Sequence, residues 1–353
     1  MPLIDFILNN FTPFGWTEPR VKTSEPLKPV HVVQRGSVQV PQLLKVGHNV
    51  ETGESFTIEL KDYEDSGERD AILASSGMGK SYLARVLLEE NLETKGIVCI
   101  IDAEGEWYSL AQKYPFLIAG GDNANVTFEY FEDSESDYPY ATMEKQASAI
   151  ISTVLNKGIS VVFDFSHMDD DESRIAFAIV SEALFEKEGE VKDQILFFVD
   201  EAQIFAPQNS EKQKKGAPSN MRLCNHIAKR GRKRAINSIW ATQRPASLNK
   251  NILSQCNRFW FGGLQSKLDF TAIKPYLEQA GITQDQVMSI QHKFYFYSSV
   301  LKKDENGLGK ISPVKLVKAR KPYTKHIGKT PKRNLNARRA TKEDLQGILD
   351  GLK

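Results

Sequence analysis

Hydrophobic positions follow two rhythms along this 353-residue chain. From residue 70 onward, short apolar runs rich in Val, Ile and Phe alternate with helix-length segments. The runs are Ala71–Ala74, Ile97–Ile101, Ile159–Phe165, Ile195–Val199, Ile236–Thr242 and Arg258–Gly262. Each is continuously apolar rather than alternating, so each predicts a strand buried on both faces. Segments such as Met143–Leu155 and Glu172–Glu186 supply the helical crossovers. The pattern predicts an α/β fold with a mostly parallel sheet and helices on both of its faces.

The flanks read differently. Residues 1–30 are irregular and proline-rich, apart from an apolar start, "MPLIDFILNNFTPFGW", that reads as a helix docking on a neighbour. In residues 31–65, "HVVQRGSVQV" and "ESFTIEL" alternate like short strands, so a small β module is expected ahead of the main domain at 66–305. From 306 to 353 a basic tail is expected, because no Asp or Glu occurs between Asn306 and Lys342. Such a run is usually disordered or lies on an anionic partner.

Composition adds little to this picture. The chain is 26% charged with a formal net charge of +1, so no global field marks a partner. Cys99, Cys224 and Cys256 lie far apart and read as reduced thiols of a cytoplasmic protein, without a disulfide frame or zinc site. The six histidines are equally scattered. No apolar run reaches the roughly 18 residues that span a bilayer, and the N-terminal stretch lacks the basic start of a signal peptide.

The chemistry begins at Ala74-Ser75-Ser76-Gly77-Met78-Gly79-Lys80-Ser81, between a strand and a helix. Small residues let backbone N–H groups wrap a phosphate chain, and the following helix turns its positive end toward it. Lys80 would reach the β- and γ-phosphate oxygens, Ser81 would offer its hydroxyl to Mg²⁺, and the run Ser75 to Tyr82 is expected to bind the nucleotide. Ala74 stands where glycine is usual. "ILFFVDEAQIFAP" then ends a buried strand in Asp200 and Glu201. Asp200 is expected to hold Mg²⁺ through water, and Glu201 to orient and deprotonate an attacking water. A third strand ends at Gln243, whose amide can sense the γ-phosphate without adding charge. The segment "HIAKRGRKRAINS" offers an arginine finger for a neighbouring subunit, with Arg232 preferred over Arg230.

Taken in order, ASSGMGKS, "IVCIIDAEGEW", "FFVDEAQIFAP", "AKRGRKRAINSIWATQRP" and "NILSQCN" resemble the HerA-type branch of the HerA/FtsK superfamily of DNA-pumping ATPases, over residues 40–300. The resemblance implies a RecA-like P-loop core, ATP and Mg²⁺ as cofactors, and Asp102 and Glu106 beside the nucleotide. It also implies a hexameric ring that passes double-stranded DNA through its channel, with a nuclease or other effector as partner. The loop Glu211–Arg222 and the basic tail are candidate grips on DNA phosphates. Short relatives also resemble genome-packaging and conjugative DNA-transfer motors, which the motifs alone do not separate from DNA processing. An ATP-dependent protein-remodelling scaffold that never touches DNA is the remaining alternative.

Overall fold

The computed structural model describes residues 43–59, 67–191, 194–208, 220–303, 309–311 and 313–326. The expected N-terminal helix, the strand "HVVQRGSVQV" and most of the loop Glu211–Arg222 lie outside the described residues. So does the tail beyond residue 326.

Among the described residues, twelve strands form one sheet. They are β1 (Leu43–Asn49), β2 (Ser55–Glu59), β3 (Arg69–Leu73), β4 (Ile97–Asp102), β5 (Phe116–Ala119) and β6 (Ser160–Asp164). Then come β7 (Ile195–Val199), β8 (Ile236–Thr242), β9 (Arg258–Phe261), β10 (Tyr295–Lys303), β11 (Gly309–Ile311) and β12 (Lys315–Ala319). The order across the sheet is β2-β1-β12-β10-β9-β3-β8-β7-β4-β6-β5, with β11 beside β10. Strands β9 to β5 in that order pair in parallel, and β10, β12, β1 and β2 add an antiparallel wing. The mostly parallel α/β core therefore stands as the pattern predicts.

Alternation within each central strand explains the double burial. In β4, Cys99 and Ile101 join one apolar layer while Val98 and Ile100 join the other. In β7, Phe197 and Val199 divide from Leu196 and Phe198 in the same way. On the first face lie helices α2 (Ala141–Lys157) and α3 (Asp170–Val191), which bring Met143, Ile151 and Phe177 into the core. On the second face lies α1 (Lys80–Glu93), with Leu83, Val86 and Leu87 against the sheet. The remaining helices are α4 (Ala202–Phe205), α5 (Asn220–Arg230), α6 (Lys250–Leu253), α7 (Lys267–Ala280) and α8 (Gln284–Met288).

Both flanks join the main sheet. β1 and β2, in the span expected to hold a small β module, extend that sheet, because β1 pairs with β12. Residues placed in a basic tail also fold back. Gly309–Ile311 and Lys315–Ala319 become strands, and Arg320–Thr324 packs onto α1. The physical reason is charge pairing inside the same chain. Arg320 Nη2 donates to Glu90 Oε1 at 2.6 Å, and its Nη1 reaches Glu89 Oε2 at 3.3 Å. Glu89 also accepts the Tyr323 N–H and the Thr324 N–H, each at 2.7 Å. A basic stretch thus finds its anionic partner on the helix that follows the phosphate loop.

The β1–β12 join depends on a close backbone approach at Gly47. A Cβ there would sit 2.0 Å from the Lys318 carbonyl oxygen. Gly47→Ala should therefore destabilise the fold by about 1–3 kcal/mol, read as a lower urea midpoint. An unchanged midpoint would show that the wing adapts without cost.

Candidate functional site

The C-terminal ends of the parallel strands meet at one edge of the sheet, where open α/β sheets bind ligands. Leu73, the last residue of β3, is level with Thr242 at the end of β8, and Asp102 in β4 is level with Asp164 in β6. Asp200 follows β7 directly. β8 lies between β3 and β7, so Gln243 emerges between the phosphate loop and the acid pair.

The loop 74–79 takes its shape from its glycines and from neighbouring backbone. Gly77 and Gly79 have φ of +77° and +100°, a region that L side chains rarely adopt. A Cβ on Gly79 would also meet the Phe294 ring at 2.6 Å. Ser75 N–H donates to Gly263 O and Phe294 N–H donates to Met78 O, both at 2.9 Å. Ser76 and Gly77 stay exposed. Helix α1 starts at Lys80 with no side-chain cap and no acidic residue in its first turn. Its first N–H groups and positive end therefore stay available to an anion. Ser81 is half-buried at the same helix start, and the Tyr82 ring lies 4.0 Å from that of Phe294, centre to centre.

Lys80 turns back over the strand ends. Its ammonium lies 2.5 Å from Asp200 Oδ1 and 2.9 Å from Glu201 Oε1, and all three side chains are nearly buried. Burial alone would push the Lys80 pKa down, but the two carboxylates outweigh it and raise it above its ordinary value. Glu201 has φ of +46°, a left-handed conformation for a non-glycine residue. Strained backbone of this kind persists where surrounding contacts fix it. Here Glu201 N–H donates to Asp200 Oδ1 at 3.0 Å, and Gln203 Nε2 donates to Glu201 Oε2 at 2.7 Å. Gln203 Oε1 in turn accepts from Thr242 Oγ1 at 2.5 Å. Gln203 thus ties the Glu201 carboxylate to the β8 strand end beside Gln243. Sequence reasoning missed it, although it lies within the quoted "DEAQ".

Asp102 and Glu106 behave differently from each other. Asp102 was expected beside the nucleotide, but its carboxylate is fully buried and turned into its own loop. Oδ1 accepts the Glu104 and Gly105 N–H groups, and Oδ2 accepts the Trp107 N–H at 2.8 Å. Burial pushes this carboxyl up to about 7, while those backbone donors hold it down. Asp102 therefore shapes the 102–107 turn. Glu106 is half-buried, and burial and Asp200 raise its pKa. That turn presents Trp107, whose indole N–H donates to Asp200 Oδ2 at 2.9 Å. Trp107 is a second residue that sequence reasoning did not assign.

The arginine segment lies at the other edge. Gly231–Arg234 forms a 3-10 turn at the start of β8, and Ile195 N–H donates to Ala235 O there. β8 has seven residues, so it spans roughly 20 Å between that turn and Gln243. Arg230 is exposed and, with Lys229, Lys233, Arg234 and Phe185, lines an open cleft of about 670 Å³. Arg230 and the backbone of Arg232 precede β8, at the opposite end of that strand from Gln243.

The donors at the strand ends suit Mg²⁺. Ser81 and Asp200 offer hard oxygen atoms, and Mg²⁺ typically takes one or two protein oxygens with phosphate and water completing its shell. Among the described residues there is no cluster of three or more His, Cys, Asp or Glu that could hold a metal. Cys99, Cys224 and Cys256 are buried and unpaired. Among the described residues, no helix is long and apolar enough to cross a membrane.

Residues 44–172 match the family model described as the helicase HerA central domain. The chain is 29% identical over 136 residues to the DNA double-strand break repair helicase HerA of Pyrococcus furiosus, which covers 29% of this chain. The alignment spans only 24% of that relative's length. Among solved structures, VirB4 of Thermoanaerobacter pseudethanolicus aligns at a TM-score of 0.53 and 11% identity, over 81% of this chain and 98% of that one. That likeness concerns the fold alone. The genome packaging NTPase B204 of Sulfolobus turreted icosahedral virus 2 aligns at a TM-score of 0.44 and 16% identity, over 70% and 97% of the two chains. Over residues 44–172, which hold the glycine-lysine loop, the chain is thus similar to the HerA central domain, and the paired acids face that loop from beyond the matched span.

Proposed function

We propose that the chain hydrolyses ATP as a subunit of a ring, and that the ring moves double-stranded DNA. One observation carries the catalytic half: the Lys80 ammonium sits between Asp200 and Glu201 at the mouth of a glycine-shaped anion loop. A triphosphate entering that loop offers Lys80 oxygens that compete with the two acids. The acids are then left to other partners. Lys80 and the backbone of 75–81 bind the phosphates. Ser81 and Asp200 would hold Mg²⁺, which when bound draws charge from the phosphate oxygens. Glu201 orients the attacking water and takes its proton, while Gln203 holds the far carboxylate oxygen. Gln243 reads the γ-phosphate with its amide.

Reach supports the ring. The candidate arginines lie at the opposite end of β8 from Gln243, roughly 20 Å along the strand, which is longer than a side chain. In this reading Arg232, or Arg230 beside it, meets a phosphate in the site of another copy. The 29% identity to a DNA repair helicase supports DNA as the cargo. The exposed cations Lys229, Arg230 and Lys233 offer phosphate contacts as well, with the loop Glu211–Arg222 as a further grip. A nuclease or other effector as the ring's partner remains part of this reading.

Lys80→Ala should abolish nucleotide binding or turnover. Glu201→Gln should bind ATP normally and slow hydrolysis by about 10²–10⁴-fold, read by equilibrium binding beside steady-state phosphate release. Unimpaired turnover would remove Glu201 from the base role. Arg232→Ala should bind ATP yet lose roughly 10³-fold or more in turnover. Mixing it with Glu201→Gln subunits should restore a fraction of sites, and no recovery in the mixture would contradict action across an interface. Duplex DNA should raise the ATPase rate, and DNA affinity should fall steeply between 50 and 200 mM salt, by orders of magnitude for several phosphate contacts. A flat response to DNA at low salt would favour a protein-remodelling role instead.

A further inference from the structure

We propose that Trp107 is a positioning residue for the Asp200 carboxylate, and that the segment Arg320–Thr324 holds Trp107 in place through Arg85. This rests on the reading of Asp200 as the acid that serves Mg·ATP.

Asp200 has two oxygens with different duties. Oδ1 takes the Lys80 ammonium and the Glu201 N–H. Oδ2 takes the Trp107 indole N–H at 2.9 Å. With donors on both oxygens, the carboxylate has one rotation about its Cβ–Cγ bond that satisfies them all. The indole is a neutral donor. It fixes an oxygen without adding a positive charge that would compete with Mg²⁺.

Trp107 is itself held on three sides and has no exposure. Its backbone N–H is bound by Asp102 Oδ2. Its ring meets Phe198 edge to face, 4.8 Å between centres at 69°. The Arg85 guanidinium lies 4.9 Å from the ring centre. Arg85 is buried in α1, five positions after Lys80, and burial lowers its pKa from the ordinary value. Its head group is anchored by three acceptors: Glu106 O at 3.1 Å, Ser109 Oγ at 2.9 Å and Thr324 Oγ1 at 3.1 Å. Thr324 Oγ1 then donates to Glu89 Oε1 at 2.7 Å, back on the same helix. The contacts run without a gap from residue 324 through Arg85 and Trp107 to Asp200 and Lys80. Loss of a merely space-filling Trp107 would be felt in stability alone, whereas loss of a positioning N–H is felt in Mg²⁺-dependent affinity.

The test is calorimetric binding of ATPγS to the full chain, with Mg²⁺ and with EDTA, for wild type, Trp107→Phe and Thr324→Val. Phenylalanine keeps the aromatic ring and removes the N–H. Valine keeps the branched shape and removes the hydroxyl. The expected result for Trp107→Phe is unchanged affinity in EDTA and a Mg²⁺-dependent gain reduced roughly tenfold or more. Thr324→Val should reduce the gain in the same direction by a smaller factor. The Trp107 indole ¹⁵N–H resonance of the wild type should also move in Asp200→Asn. A full Mg²⁺-dependent gain in a folded Trp107→Phe overturns the positioning role. If that variant does not fold, a full gain in Thr324→Val together with an unmoved indole resonance overturns it. A wild type with no Mg²⁺-dependent gain at all overturns the reading of the site, and the positioning role with it.

Discussion

One ammonium group organises the functional edge of this molecule. Lys80 lies between Asp200 and Glu201, 120 and 121 positions further along the chain, and bridges the helix after β3 to the acids after β7. Three buried ionisable groups at the rim of an apolar core are costly unless each has partners. Here each has them. Asp200 is bound by Lys80, Trp107 and the Glu201 N–H; Glu201 is bound by Lys80 and Gln203. The fold's contribution is to bring β3, β8 and β7 side by side and in parallel, so that three loops distant in sequence open at one edge.

The rest of the molecule can be read as support for that edge. The antiparallel wing closes the sheet's far side and carries the chain back across α1. The chain then pairs Arg320 with Glu89 and Glu90 and ends its described course at residue 326. Helix α1 is therefore covered on both sides: by the sheet through Leu83, Val86 and Leu87, and by the returning segment through buried polar groups. The helix that starts at Lys80 is thus held by the sheet on one side and by residues 320–324 on the other.

Much of the core was legible in the sequence because continuous apolar runs leave few alternatives to doubly buried strands. The six runs correspond to β3, β4, β6, β7, β8 and β9 within a residue or two. β5 (Phe116–Ala119) lies outside those six runs. Of the wing, β2 lies within the expected strand "ESFTIEL", whereas Tyr295–Lys303 and Lys315–Ala319 escaped because they mix apolar residues with lysines.

The site was legible where chemistry is local and illegible where it is relayed. Gly77, Gly79, Lys80, Ser81, Asp200 and Glu201 announce themselves by spacing. Gln203, Trp107, Arg85 and Thr324 act through partners 39, 93 and 239 positions away, and no local pattern encodes those pairings. Asp102, an acid at a strand end, binds the backbone of its own turn, which its position in the sequence does not announce. The most direct measurement of the central claim is an experimental structure of the protein with Mg²⁺ and ATPγS. The account predicts the γ-thiophosphate at the loop 75–81, with the Lys80 amine moved from Asp200 onto the phosphate oxygens and Glu201 facing the γ-phosphorus. Nucleotide bound elsewhere, or Lys80 still paired with both acids in the loaded state, would contradict it.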